Sequence, residues 1–209
     1  EFSASRVVVN GAGAAGTAIA RLLRCVGHDP NVCMPVKDIV VCDSRGAIHR
    51  EREDLTREKQ QLLAYTNRDN RSGSLQEILP EQKVLIGVSK GNLLKSNDVA
   101  RMEKNPIILA MANPTPEIMP DEARAGGAAV VGTGRSDFPN QVNNVLVFPG
   151  IFRGALDCGA ARITEKMKIA AARALAAIVV NPTADGILPD PLNKTVAAQV
   201  AVAVAAATA

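Results

Sequence analysis

The stretch "GAGAAG" places Gly11, Gly13 and Gly16 in the spacing G-x-G-x-x-G, directly behind the apolar run "RVVVN" and in front of a helical pattern. That spacing suits phosphate chemistry. The first glycine permits a tight turn, the second lets the backbone approach a pyrophosphate, and the third lets a helix pack closely on a strand. The helix that follows would offer its free amides and partial positive charge to an anion, through Gly13, Ala14, Ala15 and Gly16. Asp43 closes the next β-like run, "DIVVCD", where a carboxylate can accept the hydroxyls of a ribose. It lies farther from the glycines than the roughly 20 residues usual for this fingerprint; the segment "GHDPNVCMPVK" accounts for the excess as a loop insertion. A carboxylate at that point favours NAD, because it would repel a 2′-phosphate. Arg45 and Arg50, close by in sequence, would attract one, so the choice between NAD and NADP stays open.

Three further places carry polar groups at the ends of apolar runs. "GVSKGN" sets Ser89 behind one, and "AMANPTPE" sets Asn113 behind another, followed by Pro114. "VVGTGRSDFPNQVNNVLVFPG" holds Arg135, Asp137, Asn140, Gln141, Asn143 and Asn144 between two apolar stretches. Amides in such places suit a carboxylate, a carboxamide or a ribose. Asn113 could equally cap a turn, since Asn-Pro is common in loops.

The elements that must position these residues alternate. Strand patterns at Arg6–Asn10, Asp38–Asp43, Lys83–Ser89, Pro106–Asn113 and Ala128–Gly134 are separated by helical patterns at Ala14–Val26, Leu55–Tyr65 and Pro120–Ala125. "SLQE" from Ser74 is a capping box for a short helix. Thr164 caps a long helix whose stripe runs through Met167, Ala171, Ala174, Leu175 and Ile178. A Pro-rich linker leads to a final Ala/Val helix. Alternation of this kind predicts an α/β fold: a doubly wound parallel sheet of Rossmann type with the C-terminal helices packed on it, residues 1–209 forming one dinucleotide-binding domain.

Composition narrows the partners. The chain has 209 residues, a net charge of +3, four Phe, one Tyr and no Trp. It offers no aromatic platform for single-stranded nucleic acid, so no nucleic acid is expected. The run "HREREDLTREK" alternates in sign and reads as a solvated helix face. No apolar run reaches the length of a membrane span. Cys25, Cys33, Cys42 and Cys158 follow neither disulfide nor zinc-ribbon spacing, and free thiols suit a reducing cytoplasm. A metal site drawn from Cys25, His28, Cys33 and Cys42 lacks any C-x-x-C, and none is expected.

The segments "VVVNGAGAAGTAIARLL", "CDSRGAIH", "ILAMANPTPEIMPDEA", "VVGTGRSDFPNQVNNVLVFPGIFRGALD" and "ITEKMKIAAARALA" run in one order over nearly the whole chain. Together they resemble the cofactor domain of bacterial malic enzymes. The resemblance implies oxidative decarboxylation of malate to pyruvate and carbon dioxide, with NAD or NADP reduced and Mg²⁺ or Mn²⁺ required. It implies that Gly11, Gly13, Ala14, Ala15 and Gly16 cradle the pyrophosphate, Asp43 faces the adenosine ribose and Ser89 lies against the cofactor. Asn113 would stand at the nicotinamide and the substrate, and Asn144, with Asn143 second, would contact malate. Arg135 and Asp137 are expected to pair and shape their loop, and Asp157 to cap a turn near Arg153 instead of binding metal. The family's lysine base, tyrosine acid and acidic metal ligands have no counterpart here, so no catalytic residue is expected in this chain. An N-terminal catalytic domain outside it, and a homo-oligomer, are expected instead. A stand-alone regulatory dinucleotide module is the alternative, and a methyltransferase fits "SDFPNQVNN" poorly.

Overall fold

The computed structural model describes residues 2–28, 31 and 33–207. Its internal contacts divide it into two compact units, the first ending at Phe138 and the second beginning at Pro139.

The first unit is built on six strands: β1 (Arg6–Asn10), β2 (Asp38–Asp43), β3 (Gly46–Ala47), β4 (Val84–Gly87), β5 (Ile107–Ala110) and β6 (Val130–Thr133). Their order across the sheet is β3-β2-β1-β4-β5-β6. All neighbours are parallel except β2 and β3, an antiparallel pair at the edge. Val7, Val8 and Val9 are buried on both faces, as a continuous β-branched run in a parallel sheet should be. One face carries α1 (Ala14–Leu23) and α2 (Arg57–Leu62), whose Ala20 and Leu62 pack with Val7, Val9, Ile39 and Val41. The other carries α3 (Leu75–Ile78), α4 (Ser96–Val99) and α5 (Pro120–Ala125), whose Leu75, Ile78, Val99 and Ala123 pack with Val8, Leu85 and Ile108. Each Val, Leu or Ile side chain so taken from water contributes roughly 1.5–3 kcal/mol, and each Ala less. This is the doubly wound, Rossmann-type sheet that the sequence predicts.

Helix caps follow local chemistry. The Ser74 hydroxyl accepts from the Glu77 amide, while the Glu77 carboxylate accepts from the Ser74 amide at 2.7 Å, a complete capping box. The charged run His49–Lys59 departs from expectation. It is irregular as far as Thr56, and helix begins only at Arg57.

A second correction concerns the cysteines. Cys25 and Cys33 form a disulfide, with Cα atoms 5.7 Å apart, whereas Cys42 and Cys158 are free. The reason is the path of the chain after α1. Cys25 turns it with φ +56°, and the returning segment lies back against the helix end. There the Val36 amide donates to the Leu23 carbonyl at 3.0 Å, and the Arg24 guanidinium donates to the carbonyls of Val36 and Lys37. That return sets Cys33 beside Cys25 within bridging distance. The sequence interval does not disclose it.

The second unit contains α6 (Phe148–Asp157), α7 (Glu165–Ile178) and α8 (Thr195–Ala206) around Ile151, Met167, Ala171, Val196, Val200 and Val204. Helix α6 is absent from the sequence reading. Pro149 enters it in its first turn, where the missing N–H costs nothing. Its glycines serve close packing: a Cβ on Gly154 would stand 2.4 Å from the Ala201 carbonyl oxygen of α8. The Thr164 hydroxyl accepts from the Met167 amide and starts α7 as expected. Among the described residues no helix is long and apolar enough to cross a membrane.

Candidate functional site

In this strand order the chain leaves β1 toward β2 on one side and returns to β4 on the other. A crevice opens beyond the carboxyl ends of the strands at such a reversal, and ligands of open α/β sheets bind there. A cavity of about 910 Å³ lies at this place, lined by Asn10, Gly11, Gly13, Asp43, Ser89 and their neighbours. Its size fits the range of small-molecule and cofactor sites.

The glycine turn is dictated by contact. Gly11 has φ +127°, a region L side chains rarely adopt, and a Cβ on it would stand 2.7 Å from the Val88 carbonyl oxygen. A Cβ on Gly16 would stand 1.7 Å from the Gly11 carbonyl oxygen, so α1 rests directly on the turn. Gly13 differs, since a Cβ there would meet nothing within 4 Å. The room beside it is open and Gly13 lines the cavity, as a ligand that approaches the backbone needs. Gly13 also caps α1 without a side-chain hydrogen bond. The first-turn amides, those of Ala14, Ala15 and Gly16 among them, are therefore available to an anion.

Asp43, the last residue of β2, also lines the cavity. Its Oδ1 accepts from the Arg45 amide at 2.9 Å and from Arg52 Nη1 at 2.9 Å. Its Oδ2 accepts from Arg52 Nη2 at 3.1 Å and from Lys59 Nζ at 2.5 Å. A carboxylate has about four acceptor directions, and all are filled. Burial alone would push the Asp43 carboxyl up, but the hydrogen bonds from Arg52, Lys59 and the Arg45 amide outweigh it and hold the group at about 2. Arg52 also binds Asp54 through Nε at 2.8 Å and Nη2 at 2.6 Å, and its own pKa is raised by both partners. The charge of Asp43 is thus balanced, and any further donor would have to displace one of these, of which Lys59 is the more exposed side chain. Arg45 lines the cavity and pairs with Asp54 at 3.0 Å. The sequence reading misses Arg52 and Lys59 because it assigns their run to a solvated helix face. A carboxylate ending β2 with a dense run of cations behind it is the signal that was there to use.

Beside Asp43, the buried Cys42 thiol is pushed up to about 12, first by burial and then by the Asp43 charge. It stays protonated and is no nucleophile at neutral pH.

Ser89 is exposed at the cavity beyond β4, and Asn113 is exposed beyond β5, where the Asn113–Pro114 peptide is cis. One buried residue braces both segments. Glu117 is 0% exposed; its Oε1 accepts from the Ser89 amide and its Oε2 from the Ala112 amide, each at 3.0 Å. Its backbone carbonyl takes the Leu93 amide at 2.8 Å. The sequence hints at Glu117 only as a lone carboxylate inside the apolar stretch "PEIM". Glu117→Gln leaves one acceptor oxygen for two amides and turns an NH₂ group toward the other. It should destabilise the chain by about 1–3 kcal/mol, the cost of an unsatisfied buried group, as read in urea unfolding. An unchanged midpoint would remove the brace from this account.

In the second unit, Asn143 Oδ1 accepts from the Val145 amide at 3.1 Å and caps a 3₁₀ turn, Asn144–Leu146. Asn144 is exposed. Asn140 is structural: it is 7% exposed, donates to the Ala184 carbonyl at 2.8 Å and accepts from the Ile187 amide at 2.9 Å. In the first unit Arg135 pairs with Asp137 at 2.6 Å, as the sequence leads one to expect, whereas Asp157 caps no turn: it ends α6 and pairs with Arg153 at 2.7 Å, one turn back on that helix. Among the described residues no group of three or more His, Cys, Asp or Glu could hold a metal ion.

Known proteins carry the same pattern. The family model described as malic enzyme, NAD binding domain, matches residues 1–209. A bifunctional malic/malolactic enzyme of Bacillus subtilis is 53% identical over 99% of this chain and 49% of its own length. An NAD-dependent malic enzyme of Geobacillus stearothermophilus is 46% identical over 91% of this chain and 36% of its own. A solved NAD-dependent malic enzyme of Thermotoga maritima superposes with a TM-score of 0.90 at 38% identity, over 98% of this chain and 52% of its own. The chain spans about half, or less, of the length of these relatives.

Proposed function

The chain belongs to the malic enzyme family, as its NAD-binding domain, and on that premise we propose that residues 1–209 act as one domain that binds NAD or NADP for the oxidative decarboxylation of malate. The observation that carries this reading is the glycine turn, with its open side at Gly13 and the uncapped start of α1 at a strand-order reversal. The amides of Ala14, Ala15 and Gly16 bind the pyrophosphate. Asp43, through its cation shell, frames the adenosine ribose, and Ser89 borders the cofactor. The dinucleotide, when bound, supplies the hydride acceptor. Asn113 and Asn144 orient malate through their amides; Asn143 is second, because its Oδ1 already caps a turn. The Mg²⁺ or Mn²⁺ ion and the groups that move protons come from outside this chain.

Titration of the chain with NADH and NADPH, followed by nicotinamide fluorescence, tests the first part. Saturable binding of at least one is expected, with no malate-dependent reduction of NAD or NADP by the chain alone. Binding of neither would overturn the reading, and turnover by the isolated chain would overturn the division of labour. Asn144→Ala, placed in a complete malic enzyme containing this domain, should raise the KM for malate while the Kd for NADH stays as it was.

A further inference from the structure

Asn10 ends β1 and is 3% exposed, yet its side-chain Nδ2 has no hydrogen-bond partner. Among the described residues no other buried side-chain nitrogen or oxygen stands in this state. The backbone of Asn10 belongs to the parallel ladder. It lies opposite Cys42 of β2 and Gly87 of β4, and its carbonyl takes the Val88 amide at 2.9 Å. Strand alternation sets its side chain on the face of Val8, above the apolar layer that holds Leu75 and Leu85. An apolar residue would continue that layer without cost, whereas a buried donor without an acceptor is unfavourable. Asn10 is one of the residues that line the cavity, together with Gly11, Asp43, Leu75 and Leu93. An unpaired donor at that point calls for an acceptor brought by a ligand.

We propose that Asn10 is a cofactor-contacting residue whose Nδ2 donates to an oxygen of the ribose–phosphate part of the adenosine half of the dinucleotide. This rests on the reading of the cavity as the dinucleotide site. The choice of ligand group follows from chemistry: the phosphate and ribose oxygens are the acceptors between the glycine turn and Asp43, while the apolar wall suits the base.

A role in binding and a role in folding predict different results. Asn10→Leu removes the donor and keeps the size. ADP and NADH should then bind about fivefold to tenfold more weakly, the worth of one hydrogen bond. The unfolding midpoint without ligand should hold or rise, because the unpaired donor is gone. Asn10→Asp keeps the shape and turns an acceptor toward the phosphates, so it should lose more affinity for both ligands. Wild-type affinity for ADP in either variant would overturn the proposal. So would a loss for NADH without a loss for ADP, or a lowered midpoint in both variants that tracks the loss of affinity. If the unaltered chain binds neither ADP nor NADH, the reading of the cavity falls and this proposal with it. If it binds both and the variants bind equally well, only the role of Asn10 falls.

Discussion

Gly16→Ala is expected to abolish measurable dinucleotide binding by the chain and to lower its unfolding midpoint by several degrees. The added Cβ would stand 1.7 Å from the Gly11 carbonyl oxygen, 2.9 Å from the Gly11 carbonyl carbon and 3.3 Å from Val9 Cγ1. The first two are backbone atoms of a turn already fixed by φ +127° and by the Gly11 amide, which donates to the Cys42 carbonyl at 2.8 Å. No rotamer can yield. Either α1 lifts off β1 or the turn opens, and each moves the first-turn amides away from where a pyrophosphate would lie. Overpacking of this kind costs about 1–3 kcal/mol, which for a unit of this size corresponds to a midpoint shift of several degrees. Gly13→Ala separates the two effects. Its Cβ meets no protein atom within 4 Å, so the fold should be untouched while the methyl group occupies space that the ligand needs. The checks are a nicotinamide fluorescence titration and a thermal melt of both variants. Undiminished NADH binding in Gly16→Ala would show that the turn does not carry the site.

The contrast between what the sequence discloses and what it hides follows the range of the interactions. Gly16 against Gly11, the Ser74 capping box and the Thr164 cap act through atoms a few residues away, so spacing alone reveals them. The five parallel strands are legible for a similar reason, since burial on both faces requires a continuous β-branched or apolar run. Elements whose signals conflict locally are lost. Proline and glycine disfavour a helix interior, so Pro149, Gly150 and Gly154 obscure α6, yet a first-turn proline is permitted and Gly154 is where the Ala201 backbone comes close. Arg52 and Lys59 read as solvent-facing charge, because their partner Asp43 lies on a different element. The Cys25–Cys33 bridge depends on a return path set by Arg24 and Val36. Asn10 reads as a strand end, and only its unpaired Nδ2 in a cavity wall distinguishes it. In each case the missing information is which distant group the fold brings alongside.

Arg52 illustrates how much energy such a distant pairing can hold. Arg52→Met keeps the length of the side chain and removes the guanidinium that joins Asp43 to Asp54. The Arg52 and Asp43 side chains are 9% and 8% exposed, whereas Asp54 is 33% exposed. Removing one partner of a buried ion pair costs about 3–5 kcal/mol when the other is left without compensation; with Lys59 still bound to Asp43 and Asp54 a third exposed, no more than the lower end, about 3 kcal/mol, is expected at neutral pH. The pH dependence identifies the cause. In the unaltered chain Asp43 titrates at about 2, below its ordinary value, so the pair's contribution is complete above roughly pH 4, the unfolded value, and is lost as pH falls through the folded value. In the variant, burial persists and the two Arg52 hydrogen bonds are gone, so Asp43 titrates higher and takes up a proton earlier. Protonation relieves the charge that Lys59 and the Arg45 amide are left to balance, and the stability gap between the two chains should narrow as pH is lowered from 7 toward 4. Urea unfolding of both at these two pH values measures it. A gap that stays constant would mean that lost packing of the Arg52 stem, and not its charge, accounts for the destabilisation.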